Sequence, residues 1–444
     1  MSQERLETKF QDAKPLYSES EAKIEANRCL FCFDAPCIKA CPTEIDIPGF
    51  IRKIASGNIR GSAETIFRSN ILGASTARVC PVEESCSGAC VYNDLDNKPI
   101  QIGRLQRFTT QKAMELEINN GRPIFTPLAL IDKKVALIGA GPASLSCAAT
   151  LTLEGVQTVI YEKNNLPGGL NTTGIAPYKF MAKDAMDEIH WLSKYGVNIQ
   201  TGIEIGKELT LEKLLNDNDA VFLGIGLGRD TFPEIRGEKL DNVWGATDLI
   251  RKIKNDPAFT LPQDINKAIV IGGGNTAIDI ARELAMLGVP EVDIVYRRTE
   301  DVMPGYNHEL THAREYGVRF FEKQTPMEIT NGSEGRLKLL VKHTDSKSTM
   351  IHHADWIVMA IGQLKFAREI APTLEVDEKG CVIVDEMTLE TSIANLYAGG
   401  DCINGGKEVV NAAAHGRDAA HAMLKSWDLF PVNSNLKTGS NGHG

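Results

Sequence analysis

Seven of the chain's ten cysteines fall between residues 29 and 90, in two runs that read Cys29-x2-Cys32-x4-Cys37-x3-Cys41-Pro42 and Cys80-Pro81-x4-Cys86-x3-Cys90. Nothing else in the sequence restricts the fold as much, because thiols at such short intervals let one loop wrap an inorganic core. In two-cluster ferredoxin runs the last cysteine before a proline crosses to the neighbouring cluster. Two clusters are therefore expected. Two [4Fe-4S] cubanes take four ligands each, and the segment supplies seven cysteines, so one ligand is a different residue type. A structural zinc site closes on four thiolates and would leave three over, which makes iron-sulfur the stronger reading.

The redox compartment follows from the flanking sequence. The opening residues, MSQERLETKF, carry charges of both signs and no apolar stretch, so no secretory signal is expected. In a cytoplasmic setting, cysteines serve as metal ligands or small buried apolar residues rather than as disulfides. Residues 135–153 are nearly uncharged, but they contain Gly139, Gly141, Pro142, Ser144 and Ser146, and are assigned to a phosphate-binding turn rather than to lipid. A formal charge of -10 argues against a nonspecific grip on nucleic acid or on an anionic membrane, which points to small-molecule and protein partners.

From Lys133 onward the texture changes to short apolar runs, glycine turns and helical patterns, the signature of alternating strand and helix units. Val135-Ala-Leu-Ile-Gly139-Ala-Gly141-Pro-Ala-Ser144 reads as a buried strand entering a Gly-x-Gly turn and then a helix reaching Leu153. The first glycine makes the turn, the second lets the backbone approach a pyrophosphate, and the helix N-terminus offers unpaired N-H groups. The next strand ends in Glu162, 23 positions after Gly139, placed to accept from ribose hydroxyls. Ser144 stands where a third glycine or alanine is usual and is small enough for close helix-strand contact.

A second unit, Ala268-Ile-Val-Ile-Gly272-Gly-Gly274-Asn275-Thr276-Ala277, leads through a helix to a strand ending in Arg297 and Arg298. An acid at that strand end would repel a 2'-phosphate, whereas a guanidinium pairs with it, so NADPH is expected there rather than NADH. Near the C-terminus, Leu396-Tyr-Ala-Gly399-Gly400-Asp401 is a short strand meeting a turn, with a helix from Val409 to Leu424. Asp401 is placed to hold the ribityl and phosphate end of a flavin, or else caps that helix. His415 and His421, and His352 and His353 on an expected surface strand, are given structural or exposed roles. The final residues, 431–444, are polar and aperiodic and read as a flexible tail.

The phrase Cys29-Leu-Phe-Cys32-Phe-Asp-Ala-Pro-Cys37, followed by Cys41-Pro-Thr-Glu-Ile-Asp46-Ile, resembles the N-terminal iron-sulfur and flavin half of dihydropyrimidine dehydrogenase. More broadly, residues 22–424 are similar to the glutamate synthase small-subunit family of NAD(P)H-dependent flavoproteins. The resemblance implies an α/β fold in which an α-helical domain binding two [4Fe-4S] clusters (1–122) precedes two Rossmann-like domains. The FAD domain is split (123–238 and 368–430) around an inserted NADPH domain (239–367). It implies one cluster on Cys29, Cys32, Cys37 and Cys90, and another on Cys41, Cys80, Cys86 and Gln106. Gly168-Gly169-Leu170 resembles the family's second flavin contact, although the Ile-Pro phrase that usually follows is altered to Ile175-Ala176-Pro177.

The resemblance also implies a function. The chain is expected to take a hydride from NAD(P)H onto FAD and to pass electrons through the clusters, without a catalytic acid-base dyad of its own. The FMN-binding (β/α)8 barrel that reduces the pyrimidine takes about 250 residues, and too few remain beyond Asp401 to form one. The barrel is therefore expected on a separate, FMN- and iron-sulfur-containing, dihydroorotate-dehydrogenase-like subunit in a hetero-oligomer that reduces uracil or thymine. Two alternatives stand beside this expectation: the small subunit of glutamate synthase, and a non-catalytic redox-sensing scaffold.

Overall fold

The computed structural model describes residues 5–332 and 335–432. By contacts these fall into two compact units, one of residues 14–172, 183–227 and from Lys365 onward, the other of residues 5–13, 173–182 and 228–364.

The first unit opens with the cysteine-rich segment, built on α1 (Glu19–Asn27), α2 (Ile47–Ala55), α3 (Ile59–Ser69), α4 (Gly73–Val79) and α5 (Ile102–Asn120). Local chemistry starts these helices: Ser18 and Glu21 form a reciprocal capping box on α1, Asp46 Oδ1 accepts from Gly49 N at 2.9 Å, and Asn58 Oδ1 accepts from Gly61 N at 3.0 Å. Ile47, Phe50, Ile51 and Ile54 lie on one face of α2 and are buried with Ile66 and Leu105. Cys86 belongs to this apolar core, and Cys29, Cys37, Cys41, Cys80 and Cys90 pack against it.

The segment then joins a parallel sheet. Its strands β1 (Lys134–Ile138), β2 (Gln157–Glu162), β3 (Asn198–Thr201), β4 (Ala220–Leu223) and β13 (Leu396–Ala398) run in the order β13-β4-β1-β2-β3. Because β13 arrives some 170 residues after its neighbour β4, the chain leaves this sheet, builds another, and returns, which is the split organisation expected. α6 (Pro142–Leu153) follows the first glycine turn, and α11 (Val409–Ser426) lies against it. Gly416 permits that approach: a Cβ there would overlap the Ala143 carbonyl oxygen and stand 2.9 Å from Cys147 N.

The second unit has its own parallel sheet, β5 (Val243–Gly245), β6 (Lys267–Ile271), β7 (Glu291–Val295), β8 (Arg319–Phe321) and β12 (Trp356–Met359), ordered β5-β12-β6-β7-β8. An antiparallel sheet of β9 (Gln324–Asn331), β10 (Leu337–His343) and β11 (Thr349–Ala354) covers one face, packing Ile329, Leu337, Leu339 and Val341 onto Ile269, Ile271 and Val295. α8 (Ala246–Asn255) and α9 (Asn275–Met286) pack in this unit's main apolar core. Residues 5–13, expected with the cysteine-rich domain, and 173–182, expected with the first nucleotide domain, belong here instead. Ala13 N donates to Tyr178 O at 3.0 Å, Glu7 accepts from Ala182 N at 3.0 Å, and Leu6 and Phe10 enter the core with Leu249 and Ile250.

Among the described residues no helix is long and apolar enough to cross a membrane. Residues 135–153 divide into β1, the turn and α6. On β11, His353 is exposed, while His352 is buried with Nε2 2.7 Å from Gln324 Oε1. The expected tail lies, from residue 433 on, outside the described residues.

Candidate functional site

Cys29, Cys32, Cys37 and Cys90 line a single cavity together with Ile47, Ile51 and Ile100 from the helical core. The loops bearing them are held in unusual backbone: Phe31 has φ 52° and Glu44, beyond Cys41, also has φ 52°. Such conformations in non-glycine residues persist only where the surroundings over-determine them. Burial first, and then the neighbouring Cys86, Cys29 and Cys90 thiols, push Cys37 up to about 12. Burial and then Cys41 push Cys86 up to about 12, and burial with Cys86 and Cys41 raises Cys80 well above the usual thiol range. The thiols thus form one mutually interacting group that runs across both sequence runs, with Cys86 acting on Cys37 as well as on Cys80. Cys37, Cys80 and Cys86 therefore hold their protons at neutral pH until a metal displaces them.

Among the described residues no three His, Cys, Asp or Glu side chains converge as they would around one ion. Gln106 is buried on α5, its Nε2 donating to Gly73 O at 2.8 Å and Thr76 Oγ1 at 3.1 Å on α4, the helix that ends at Cys80. Arg417 Nη1 donates to Thr43 O and Ser69 O, both at 2.8 Å, tying α11 to the Cys41 loop.

At the first glycine turn, Gly139 has φ 85° and a Cβ there would stand 2.8 Å from Gly224 O. Gly169, with φ 56°, lies against Gly141, where a Cβ would come 3.0 Å from the Gly141 Cα. The Ser144 hydroxyl, in the first turn of α6, is buried without a hydrogen-bond partner and faces Gly224, where a Cβ would overlap it. Glu162 is buried at the end of β2, where Oε2 accepts from Ala140 N at 2.9 Å and Oε1 accepts from Asn164 N at 2.8 Å and Nδ2 at 2.7 Å. The acid therefore braces the turn itself, and the lone pairs left over are what a ribose would use. Asp401 follows Gly400 (φ 79°), and burial raises its carboxyl above the ordinary range. Leu170 begins a short helix, Leu170–Thr173, beside the same turn.

The second turn opens on a cavity of about 670 Å³ lined by Gly272, Gly274, Thr276, Arg297 and Arg298 among others. That volume is in the range of cofactor sites. A Cβ on Gly272 would overlap the Ala360 carbonyl oxygen, whereas one on Gly274 would meet nothing within 4 Å and project into open space. Asn275 Oδ1 accepts from Tyr306 N at 2.9 Å, so this side chain holds the 303–306 loop, and Ala277 is fully buried under the helix start. Arg297 and Arg298 are exposed at the strand end and make no ion pair among the described residues.

Three contributors carry no sequence signal. His415 Nδ1 accepts from Gly400 N at 3.1 Å, fixing the turn before Asp401. Asp230 lines the larger cavity and caps α8, accepting from Thr247 Oγ1 at 2.9 Å and Asp248 N at 3.1 Å. Arg417 is the third, since nothing local announces a contact with residues 43 and 69. The structure gathers the expected residues into three places: the thiol loops and the first turn in one unit, the second turn in the other.

Comparison with known proteins gives two family matches. Residues 6–118 match the family described as dihydropyrimidine dehydrogenase domain II, 4Fe-4S cluster, and residues 133–416 match the pyridine nucleotide-disulphide oxidoreductases. The NAD-dependent dihydropyrimidine dehydrogenase subunit PreT of Escherichia coli (strain K12) is 37% identical over 413 residues, covering 92% of this chain and 95% of that one. The glutamate synthase [NADPH] small chain of the same organism is 33% identical over 437 residues, covering 92% of each. Among solved structures, thioredoxin reductase of T. acidophilum aligns with a TM-score of 0.56 at 17% identity, over 67% of this chain and 100% of that one. Mycobacterium tuberculosis FprA in complex with NADPH aligns with a TM-score of 0.53 at 19% identity, over 67% and 85%. At those identities the structures attest the two-sheet fold alone.

Proposed function

Because the chain belongs to the family of NAD(P)H-dependent flavoprotein oxidoreductases with an N-terminal 4Fe-4S domain, which includes PreT subunits and glutamate synthase small chains, we propose that it is the electron-input subunit of a dihydropyrimidine dehydrogenase. It takes reducing equivalents from NADPH and delivers them to an FMN- and iron-sulfur-containing, dihydroorotate-dehydrogenase-like subunit that reduces uracil or thymine. The observation that carries the reading is the cavity walled by Cys29, Cys32, Cys37 and Cys90, next to a second thiol set, in a chain that also has two glycine turns. Such a chain has a coenzyme end and a metal end.

Residues 14–122 would hold two [4Fe-4S] clusters, one on Cys29, Cys32, Cys37 and Cys90 and one on Cys41, Cys80, Cys86 and Gln106. FAD would lie on Gly139, Gly141, Ser144, Glu162, Gly169, Leu170 and Asp401. NADPH would lie on Gly272, Gly274, Asn275, Thr276, Ala277, Arg297 and Arg298. When bound, the flavin supplies a two-electron hydride acceptor and the clusters supply one-electron carriers. The chain's own contribution is positioning. The bare helix ends hold the pyrophosphates, Glu162 and His415 brace the turns, and the Arg pair selects the phosphorylated coenzyme.

Cys80 is near enough to Glu408, the residue before α11, to feel its charge, and Arg417 ties the Cys41 loop to the same helix. These contacts support a Cys41 set close to α11, the helix that packs on the first glycine turn's helix. All ten thiols are free, which suits a reducing cytoplasm.

The test is co-expression with an FMN-containing barrel subunit, followed by assay of uracil-dependent NADPH oxidation. Turnover with uracil is expected. A complex that oxidises NADPH only when given a glutamate synthase large subunit, glutamine and 2-oxoglutarate would replace this reading with the second. One observation favours that second reading: the PreT relative is named for NAD and the glutamate synthase relative for NADPH, the coenzyme the arginines suit.

A further inference from the structure

We propose that the exposed apolar patch beside the Cys29 cavity, centred on Phe33 with Leu30 and Leu95, is the docking face for an electron-accepting protein whose surface is apolar at its centre and basic at its rim. The inference rests on the electron-input reading above.

Phe33 is 105% exposed, Leu95 55% and Leu30 51%, in a region whose other large apolar side chains are mostly buried in the helical core. All three lie beside ligand-bearing segments: Leu30 and Phe33 flank Cys29 and Cys32 in one loop, and Leu95 ends the short helix that begins right after Cys90. Phe31, held at φ 52° with its ring 4.9 Å from the Arg52 guanidinium, turns inward between Leu30 and Phe33. Tyr92 Oη donates to Arg28 O at 2.7 Å and Arg28 Nη2 donates to Lys98 O at 2.5 Å, which pins the loop bearing Leu95 next to Cys29. Leu30 and Tyr92 themselves line the cavity with Cys29, Cys32, Cys37 and Cys90. Leu30 is thus part of the wall of the cavity that holds this thiol set, and Phe33 and Leu95 belong to the two segments that supply its cysteines. Electron tunnelling weakens steeply with distance, so an acceptor must come to this wall.

Charge selects the occupant. Asp34, Asp94 and Asp96 are exposed around the patch and make no ion pair among the described residues. Of the nearby cations, Arg28 is committed to Glu25 at 2.9 Å and Arg52 to the Phe31 ring, leaving Lys39 and Lys98. A cubane bearing four thiolates is itself a net anion, and the chain carries -10 overall. A second copy would bring this acidic rim against itself across a two-fold axis, and an anionic bilayer would be repelled. A redox protein with a lysine- or arginine-rich rim is complementary in both respects.

The experiment uses the full-length holoprotein with NADPH as donor and two acceptors: cytochrome c, a basic haem protein, and ferricyanide, which takes electrons without a docking face. Phe33→Ser and the double variant Asp94→Lys with Asp96→Lys are each expected to lower kcat/KM for cytochrome c about ten-fold or more. Iron content and ferricyanide reduction should stay at wild-type levels, and added salt should slow wild-type cytochrome c reduction. Variants that reduce cytochrome c at the wild-type rate in low salt would overturn the proposal. So would a Phe33→Ser protein that changes from dimer to monomer in sedimentation while its cytochrome c kinetics are unaltered, since the patch would then be covered by a second copy. Wild-type protein that fails to reduce ferricyanide with NADPH would refute the electron-input reading itself and this inference with it.

Discussion

Replacing Arg297 and Arg298 together with alanine isolates the coenzyme preference from everything else the second turn does. Both side chains are exposed, both line the 670 Å³ cavity, and neither has an ion pair to lose among the described residues. The cost in stability should therefore stay within about 0.5 kcal/mol. A hydrogen bond to a charged group contributes about 1.5–3 kcal/mol, but an exposed ion pair screened by water is typically under about 1 kcal/mol. A fork on a phosphate at a partly enclosed rim falls between, so losing the pair should cost roughly 1–3 kcal/mol, a factor of about 5–150 in affinity. NADH has no 2'-phosphate and should change by less than about two-fold on the same scale. The assay is steady-state ferricyanide reduction with each coenzyme. The loss for NADPH should appear in KM with kcat preserved, because the phosphate contact is the same before and during hydride transfer. The wild-type KM for NADPH should rise with ionic strength and the variant's should not. Equal losses for both coenzymes, or unchanged discrimination, would refute the reasoning.

Gly416→Ala places a methyl group on the Ala143 carbonyl where α11 meets the dinucleotide helix, an overpacking that costs about 1–3 kcal/mol or more; purified variant should show reduced flavin content and a lower thermal midpoint. Glu188 is buried while accepting from Ala74 N at 2.9 Å and from Ser75, and burial raises its carboxyl to about 7. A folded state that holds its proton more tightly than the unfolded one gains stability that is full below the unfolded carboxyl value of about 4.3 and is lost as pH rises through about 7, roughly 3 kcal/mol in all. Measured against Glu188→Gln, the wild-type thermal midpoint should therefore fall between those pH values, and a constant difference would count against it. Cys90→Ser should remove about half the iron and acid-labile sulfide, one cubane of two, and leave NADPH-driven ferricyanide reduction intact; loss of all iron or of none would break the ligand assignment.

The fold was legible where information is local. The apolar runs ending at Gly139 and Gly272 had to become buried strands entering tight turns, and β1 and β6 lie there. The late return of Leu396–Ala398 to the first sheet was readable only through resemblance, because no local pattern says that β13 pairs with β4. What escaped depends on contacts distant in sequence. Glu7 to Ala182 and Ala13 to Tyr178 draw the N-terminal segment into the nucleotide unit, and nothing in residues 5–13 announces them. Spacing alone counted seven thiols but could not sort them, since the sorting is done by helices that bring Cys90 beside Cys29. The strand-end position of Glu162 suggests a ribose acceptor, whereas its hydrogen bonds to Ala140 and Asn164, which brace the turn, follow no pattern in the sequence. His352 alternates onto the buried face of β11, where Gln324 meets it, while its neighbour His353 faces out.

Electrons entering at a nicotinamide pocket must reach the thiol loops for any of this to hold. The direct measurement is anaerobic mixing of the full chain with NADPH, followed by optical and electron paramagnetic resonance spectra of the same sample. Bleaching of the flavin band together with the signal of a reduced iron-sulfur cluster is the predicted result. A bleached flavin beside clusters that stay oxidised, or a preparation without iron, would contradict it.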